Sequence, residues 1–506
     1  MHDAFSRQFD FVAYHASAAA SRIACVDLQT GERLSYAELD ALAGRCAGHL
    51  ERLLEPGARV AILARNCIET LVLHFASIRA RQILVPLNWR LAGAELQAQV
   101  RDATPSILVY QDEFAAQAHE AAEGAKLDLV AIAPFMASVE SAQPLIPKPR
   151  DPDAPVTLLY TSGTTGKPKG VIVTEANAWT TALNFSFAND VVPRDVLLCD
   201  MPMFHVAGLF GVARAALVMG ATVLISDRFS PATTLARLSD PKLGITHVFA
   251  VPQMAASMIQ DPAYASADLT RLKAVVIGGA PLPKVIVERL LADSITPVEG
   301  YGSSEAGTIM AMPVDRETIA RKAGSCGVPA MMIDVRIVDS AGRDVNDGET
   351  GEIWLKGPSV TPGYWNQPET NARAFSDGWF KTGDAAQRDA DGFYRIVDRW
   401  KDMYISGGEN VYPAEVEGVL AELDDIAEAA VIGVADNRWG ETGCAFVVLR
   451  PGRTLAIDAI IAHCRARLAG YKVPKRVRYV DALPRSASGK IKKEELRRDA
   501  SRQGVS

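Results

Sequence analysis

Short apolar runs alternate with helical patterns through the first half of the chain, and this restricts the fold more than any other feature. Runs at 23–28, 60–64, 83–87 and 106–110 have strand length and strand composition. Between them lie helical stretches such as 69–79, and a helix opened by Ser35-Tyr-Ala-Glu38 and running to Leu54. That opening is a capping box, in which the serine and glutamate side chains satisfy backbone donors of the first turn. Pro86 cannot donate to a ladder, so the 83–87 run is either a doubtful strand or one at a sheet edge. Residues 144–155 hold five prolines and read as an extended connector into a strand at 156–160. The alternation then resumes, with strands at 195–200, 221–226, 245–250 and 272–278. Strands that alternate with helices imply an α/β body with a mostly parallel sheet. Beyond about residue 330 short alternating runs at 333–338, 352–356 and 393–397, separated by Gly/Asp turns, imply a small antiparallel β unit. After Arg399 the pattern becomes α+β.

A chain of 506 residues has room for two to four domains. With 48% apolar and 22% charged residues it is neither disordered nor fibrous. A net charge of −7 argues against nucleic acid as the main partner. The first fifteen residues lack a basic stretch followed by an apolar run, so no secretory signal is expected. The most apolar segment, 204–225, contains His205, Arg214 and three glycines, which argues against a membrane span. Seven scattered cysteines without a CxxC pair make a disulfide framework or zinc site a poor reading and favour a cytoplasmic location. Residues 465–499 carry twelve Lys/Arg against four Asp/Glu. This basic end reads either as a solvated helix face or as a cap that meets phosphates.

The densest chemical signal is YTSGTTGKPKG at 160–170, directly after a strand. Gly163, Gly166 and Gly170 let backbone N–H groups turn inward. Thr161, Ser162, Thr164 and Thr165 add hydroxyl donors, while Lys167 and Lys169 add positive charge. Such a loop cradles a polyphosphate. It is not a Walker A loop: Gly163 and Gly166 are too close together, and Pro168 follows the lysine.

This segment resembles the signature of the adenylate-forming superfamily: acyl-CoA synthetases, luciferases and nonribosomal-peptide adenylation domains. The resemblance continues in order through PMFHVAG (202–208), GGAP (278–281), GYGSSE (300–305), KTGD (381–384), DRWKD (398–402), SGGEN (406–410) and PRSASGK (484–490), covering about residues 20–493. It implies activation of a carboxylic acid by attack on the α-phosphate of ATP, with Mg²⁺ present, followed by transfer to coenzyme A. By the same resemblance Tyr301 stacks on adenine, Ser304 donates to the α-phosphate and Glu305 ligates Mg²⁺. Gly279, Ala280, Pro281, Glu299, Gly300 and Gly302 complete the nucleotide site, with Asp384 on the ribose and Arg399 as a second ribose or phosphate contact. The family usually has Thr where this chain has Ser304, and the hydroxyl donor is retained.

Lys490 lies in a Ser/Ala/Gly-rich context suited to a moving charge, and the resemblance makes it the catalytic lysine of adenylation. Lys401 occupies the family's hinge position. The implied organisation is an N-terminal body at 1–398, a hinge at 399–402 and a small mobile C-terminal domain at 403–506. Rotation about the hinge would exchange Lys490 for Ser406, Gly407 and Gly408 on the CoA side.

His205 resembles the residue beside the reacting carboxylate, with Val206, Ala207, Gly211 and Ser303 as walls of the acyl pocket. Gly300 stands where malonate-activating relatives carry an arginine, so an apolar acid is implied: a medium- or long-chain fatty acid or a hydroxycinnamate-type aryl acid. The expected enzyme is an AMP-forming acid–CoA ligase. Alternatives are an adenylating enzyme serving a carrier protein or another acceptor, and a catalytically silent ATP-binding regulator. Expected partners are the acid and CoA, with no nucleic acid and no transmembrane segment. A homodimer stays open.

Overall fold

The computed structural model describes residues 10–145, 151–162, 168–406, 409–436, 439–485 and 491–502. The chain divides into two compact units. The first comprises Met1–Thr161, Pro168–Val335 and Leu355–Phe380; the second comprises Arg336–Trp354 and Lys381–Ser506, besides the short piece Ser162–Lys167.

Two sheets organise the first unit. In one, six strands run parallel in the spatial order Pro297–Ser303, Ala274–Gly278, His247–Ala250, Val196–Cys199, Thr222–Ile225 and Ile23–Asp27. Antiparallel strands Gly307–Ala311 and Val328–Pro329 extend one edge, and Arg33–Ser35 closes the other. All five residues of Ala274–Gly278 are buried, as expected of an interior strand covered on both faces. The second sheet has the order Asp128–Ala131, Ile107–Tyr110, Arg59–Leu63, Ile83–Pro86, Pro155–Ser162 and Pro168–Thr174.

Pro86 does not mark a sheet edge. Its strand lies between Arg59–Leu63 and Pro155–Ser162. The proline is the last residue of the strand, opposite Ile62, and the next residue makes the ladder bond from Leu87 N–H to the Ile62 carbonyl. A proline that ends a strand costs the interior no donor.

The capping box forms as read. The helix Tyr36–Leu53 starts at Ser35, whose backbone N–H donates to the Glu38 carboxylate, while Glu38 N–H donates to the Ser35 hydroxyl. Leu39, Ala43, Cys46, Ala47 and Leu50 form its buried stripe. The apolar segment at 204–225 folds as a π-helix, Ala207–Arg214, continued by Ala215–Val218 and then the strand Thr222–Ile225. No helix among the described residues is long and apolar enough to cross a membrane.

In the second unit Asp384–Arg388, the end of the strand Trp379–Arg388, pairs antiparallel with Tyr394–Arg399. Beyond it the long hairpin Ile426–Asp436/Gly440–Leu449 carries Tyr404–Ser406 and Arg476–Tyr479 on its flank. Pro413–Leu420 and Ile457–Arg465 pack a core of Val416, Leu420, Val431, Val447 and Ile460 beneath it. The C-terminal helix Lys493–Arg502 contributes Leu496 and Ala500 to a second core with Ile432 and Phe446.

Candidate active site

Strand order dictates where chemistry can collect. From Val196–Cys199 the chain moves one way to Thr222–Ile225, then returns to build His247–Ala250, Ala274–Gly278 and Pro297–Ser303 on the other side. Ligands of parallel α/β sheets bind outside the carboxyl ends of the strands at such a reversal. Part of the sequence-derived nucleotide and acid set falls there. His205 follows Val196–Cys199, Gly279–Pro281 follow Ala274–Gly278, and Tyr301 to Glu305 end or follow Pro297–Ser303. The register pairs Ile277 with Glu299 and Gly278 with Gly300, which sets the 279–281 turn beside Tyr301. Gly279 has φ +86°, a left-handed conformation that suits glycine. Gly279, Ala280, Pro281 and Gly302 are exposed, whereas Glu299, Gly300, Tyr301, Ser303, Ser304 and Glu305 are half-buried.

The segment before His205 is fixed by a buried asparagine. Asn66 donates to the carbonyls of Met201 and Ser226 and accepts from Met203 N–H at 2.7 Å. The His205 ring packs on Phe204, with centroids 4.5 Å apart. Gly208 allows this chain path: a Cβ there would lie 2.3 Å from the Pro202 carbonyl oxygen. Val206 and Phe210 then meet Ser304, Glu305, Gly307, Thr181 and Thr361 in one cleft, closed by Ile172, Val173, Asn177 and Ser359. The cleft joins an apolar wall to the Glu305 carboxylate, and among the described residues no lysine or arginine lines it. Ala207 is half-buried on the same segment, and a Cβ at Gly211 would lie 3.5 Å from the Phe185 ring.

Glu305 sits in the turn between Pro297–Ser303 and Gly307–Ala311. Its Oε1 accepts a hydrogen bond from the Tyr364 hydroxyl at 2.9 Å, and its backbone carbonyl accepts from Thr361 N–H at 2.7 Å. Tyr364 and Thr361 had no signal in the sequence, because each meets Glu305 only through the fold. Thr161 ends the strand Pro155–Ser162 and is half-buried. Gly163, Thr164, Thr165, Gly166 and Lys167 lie outside the described residues, as do Gly407, Gly408 and Lys490 and the side chains of Ser162 and Lys401.

The second unit brings two of the expected ribose residues together. Asp384 and Arg399 face each other across adjacent strands, with Arg399 Nε 2.9 Å from Asp384 Oδ1. Asp384 is 9% exposed, and its N–H donates to the Thr382 hydroxyl. Neighbouring Asp398 accepts from the N–H groups of Arg399 and Ala414, both at 2.6 Å, and burial pushes its carboxyl above the usual range. The Ser406 side chain is wholly buried, and its hydroxyl has no hydrogen-bond partner among the described residues.

Much of the basic end serves internal pairing. Lys472, Arg485, Lys493 and Arg497 each reach a carboxylate upstream of the segment: Glu415, Glu428, Glu417 and Asp402, at 2.6–2.9 Å.

Comparison with known proteins agrees with this geometry. The AMP-binding enzyme family matches residues 12–365, and the AMP-binding enzyme C-terminal domain matches residues 415–490. Over 475 residues the chain is 40% identical to a feruloyl-CoA synthase of an Amycolatopsis species, covering 92% of this chain and 94% of the relative. Over 479 residues it is 38% identical to the indoleacetate–CoA ligase of Aromatoleum aromaticum, covering 92% of each. Among solved structures, o-succinylbenzoate coenzyme A synthetase from Bacillus subtilis in complex with ATP and magnesium ion aligns with a TM-score of 0.87 at 31% identity, over 96% of this chain and 99% of that one. The chain belongs to the AMP-binding enzyme family and carries both its large domain and its C-terminal domain.

Proposed function

We propose that the protein is an AMP-forming acid–CoA ligase acting on an apolar carboxylic acid, with aryl acids of the hydroxycinnamate or arylacetate type as the first choice. The cleft that joins Val206 and Phe210 to Ser304 and Glu305 carries this reading. It gives an apolar body a wall and, among the described residues, presents no cation to a second carboxylate. The relatives named for ferulate and indoleacetate favour an aromatic acid over an alkyl chain.

In the first half-reaction a carboxylate oxygen attacks the α-phosphorus of ATP. The bond to the bridging oxygen breaks, and pyrophosphate leaves with its electron pair. Negative charge spreads over the α-phosphate oxygens on the way, so donors aimed there lower the barrier. Ser304 supplies a hydroxyl, Lys490 a charge, and the 161–167 loop its backbone N–H groups. Tyr301 stacks on the base, His205 orients the attacking carboxylate, and Asp384 with Arg399 holds the ribose. Mg²⁺ is usually held by one or two carboxylates together with substrate phosphates. Glu305 fits that need, with Oε1 oriented by Tyr364 and no hydrogen bond on Oε2 among the described residues. When bound, the cation neutralises phosphate charge.

In the second half-reaction the CoA sulfur, having lost its proton, attacks the acyl carbon and AMP departs with the anhydride oxygen. We assign Lys401 as the pivot between the half-reactions, with Ser406, Gly407 and Gly408 on the thiol side.

The test is a CoA- and ATP-dependent screen of acids from C2 to C18, cinnamates and arylacetates, following AMP release and thioester mass. An aryl-CoA thioester as the best product is expected. AMP without thioester would move the reading to transfer onto a carrier or another acceptor, and no AMP with any acid would leave a silent nucleotide binder. Lys490→Ala should abolish adenylate formation and spare thioester formation from supplied acyl-adenylate. Equal loss of both would refute the division of roles.

A further inference from the structure

The connector 361–365 is bonded to both halves of the proposed phosphate site. At one end Thr361 N–H donates to the Glu305 carbonyl. At the other, Ile172 N–H donates to the Gly363 carbonyl and Trp365 N–H to the Gly170 carbonyl, which seals the connector to the strand Pro168–Thr174 leaving the Gly-rich loop. Tyr364, between these anchors, forms an antiparallel bridge with Val171.

Its main chain is clamped again by one side chain. Tyr364 N–H donates to Asn371 Oδ1 at 2.7 Å, and Asn371 Nδ2 donates to the Tyr364 carbonyl at 2.9 Å. Gly363 makes room for that clamp. It has φ +147°, and a Cβ there would lie 2.8 Å from Asn371 Oδ1. The Tyr364 side chain is 9% exposed and has one face under the Lys169 ammonium, 5.3 Å from the ring centroid. Its hydroxyl ends 2.9 Å from Glu305 Oε1.

A surface carboxylate samples several rotamers and must lose that freedom when it takes a cation. Here the partner of Oε1 is a rigid ring, buried and fixed at its backbone from three directions. The orientation of Glu305 is therefore imposed before any nucleotide arrives. We propose that Tyr364 is a positioning residue for the metal carboxylate, and that Lys169 on its ring ties that orientation to the exit of the phosphate loop. The inference rests on the reading of Glu305 as the Mg²⁺ ligand.

Outer partners that orient a metal's ligands typically contribute about 10–100-fold in metal affinity or activity. A single neutral donor belongs at the low end. Tyr364→Phe keeps the ring, the Lys169 contact and the connector, and removes only the hydroxyl. Mn²⁺ serves as the probe, its binding to the enzyme–ATP complex measured by electron paramagnetic resonance without acid or CoA. We expect about tenfold weaker Mn²⁺ binding. The Mg²⁺ concentration for half-maximal rate should rise in parallel, with ATP affinity in EDTA and melting temperature unchanged. Unchanged Mn²⁺ affinity in Tyr364→Phe, beside clear weakening in Glu305→Gln, overturns the positioning role alone. Unchanged affinity in Glu305→Gln overturns the ligand assignment and the inference with it. A Tyr364→Phe loss that appears equally in metal-free ATP binding and in melting temperature also overturns it, as a structural effect.

Discussion

Arg214 ends the π-helix that carries Phe210 toward the cleft and that Val206 precedes, and it is wholly buried. Its Nη2 lies 2.7 Å from Glu175 Oε1 and its Nη1 2.9 Å from His74 Nε2. Because a guanidinium only donates, the imidazole nitrogen accepts. The rings of Phe11 and Phe75 stand 4.9 and 5.9 Å from the guanidinium carbon. Glu175 opens the helix Glu175–Ala188, where the macrodipole favours a carboxylate, and this helix also supplies Asn177 and Thr181 to the cleft. The pair therefore joins two walls of the cleft through an ionic contact with 1% exposure on each side chain. Glu175→Gln keeps the shape and removes the charge facing the guanidinium. Losing one partner of a buried pair costs about 3–5 kcal/mol. The first unit has roughly 350 residues. At about 2.1 cal/mol/K of unfolding entropy per residue, such a loss lowers the melting temperature by about 4–7 °C. The double variant Arg214→Met/Glu175→Leu should recover much of that, because a packed apolar pair avoids desolvating two charges. Calorimetry of the parent, Arg214→Met, Glu175→Leu and the double variant closes the cycle, and the acid KM should rise in Glu175→Gln with little change in KM for ATP. A melting temperature within about 1 °C of the parent, or a double variant no better than the sum of the singles, would refute the reasoning.

Gly307 has φ +63°, and a Cβ would lie 2.2 Å from Thr181 Oγ1. Gly307→Ala should destabilise by about 1–3 kcal/mol and raise the acid KM by deforming the same cleft, as read by denaturant titration and initial rates. His247 is buried, with Nε2 2.8 Å from the Asn189 carbonyl oxygen and Nδ1 2.8 Å from the Thr246 hydroxyl. Burial holds its pKa below the ordinary value, against the pull of Asp195 and Asp190 and with a smaller push from Lys273. The unfolded chain therefore takes up a proton first as pH falls. This stability is fully present above about pH 6.5 and is lost as pH drops through that value toward the folded pKa. Thermal scans from about pH 7.5 to 5.5 should show a shallower decline for His247→Gln than for the parent; equal slopes would remove His247 as the source.

Interior strands were legible because burial on both faces leaves an apolar run with nothing else to mean. Ala274–Gly278 and Ile107–Tyr110 coincide with their runs to within two residues. Pro168–Thr174 was not legible, since the lysine and glycines that mark a phosphate loop also disguise the strand that leaves it. The site divides the same way. Residues that act near their neighbours in sequence, such as the 300–305 turn, could be read as motifs. Tyr364 could not, because its hydrogen-bond partner Glu305 is 59 residues away. Arg214 illustrates a second limit. In an apolar segment it argued correctly against a membrane span, yet its buried partner comes from another helix, and pattern alone cannot pair them.

Net charge misleads for a related reason. The excess of cations at 465–499 suggested a field reaching out to phosphates, yet five of those cations, Arg467 among them, are matched by upstream carboxylates. Two of the matches carry structural meaning. Lys493 Nζ lies 2.9 Å from Glu417, whose other contact is the Val431 N–H on the long hairpin. Arg497 Nη2 lies 2.8 Å from Asp402, the residue after Lys401. Both cations belong to the C-terminal helix, which begins three residues after Lys490. A charge spent on fixing that helix against the hairpin and the 400–402 turn is largely neutralised at longer range.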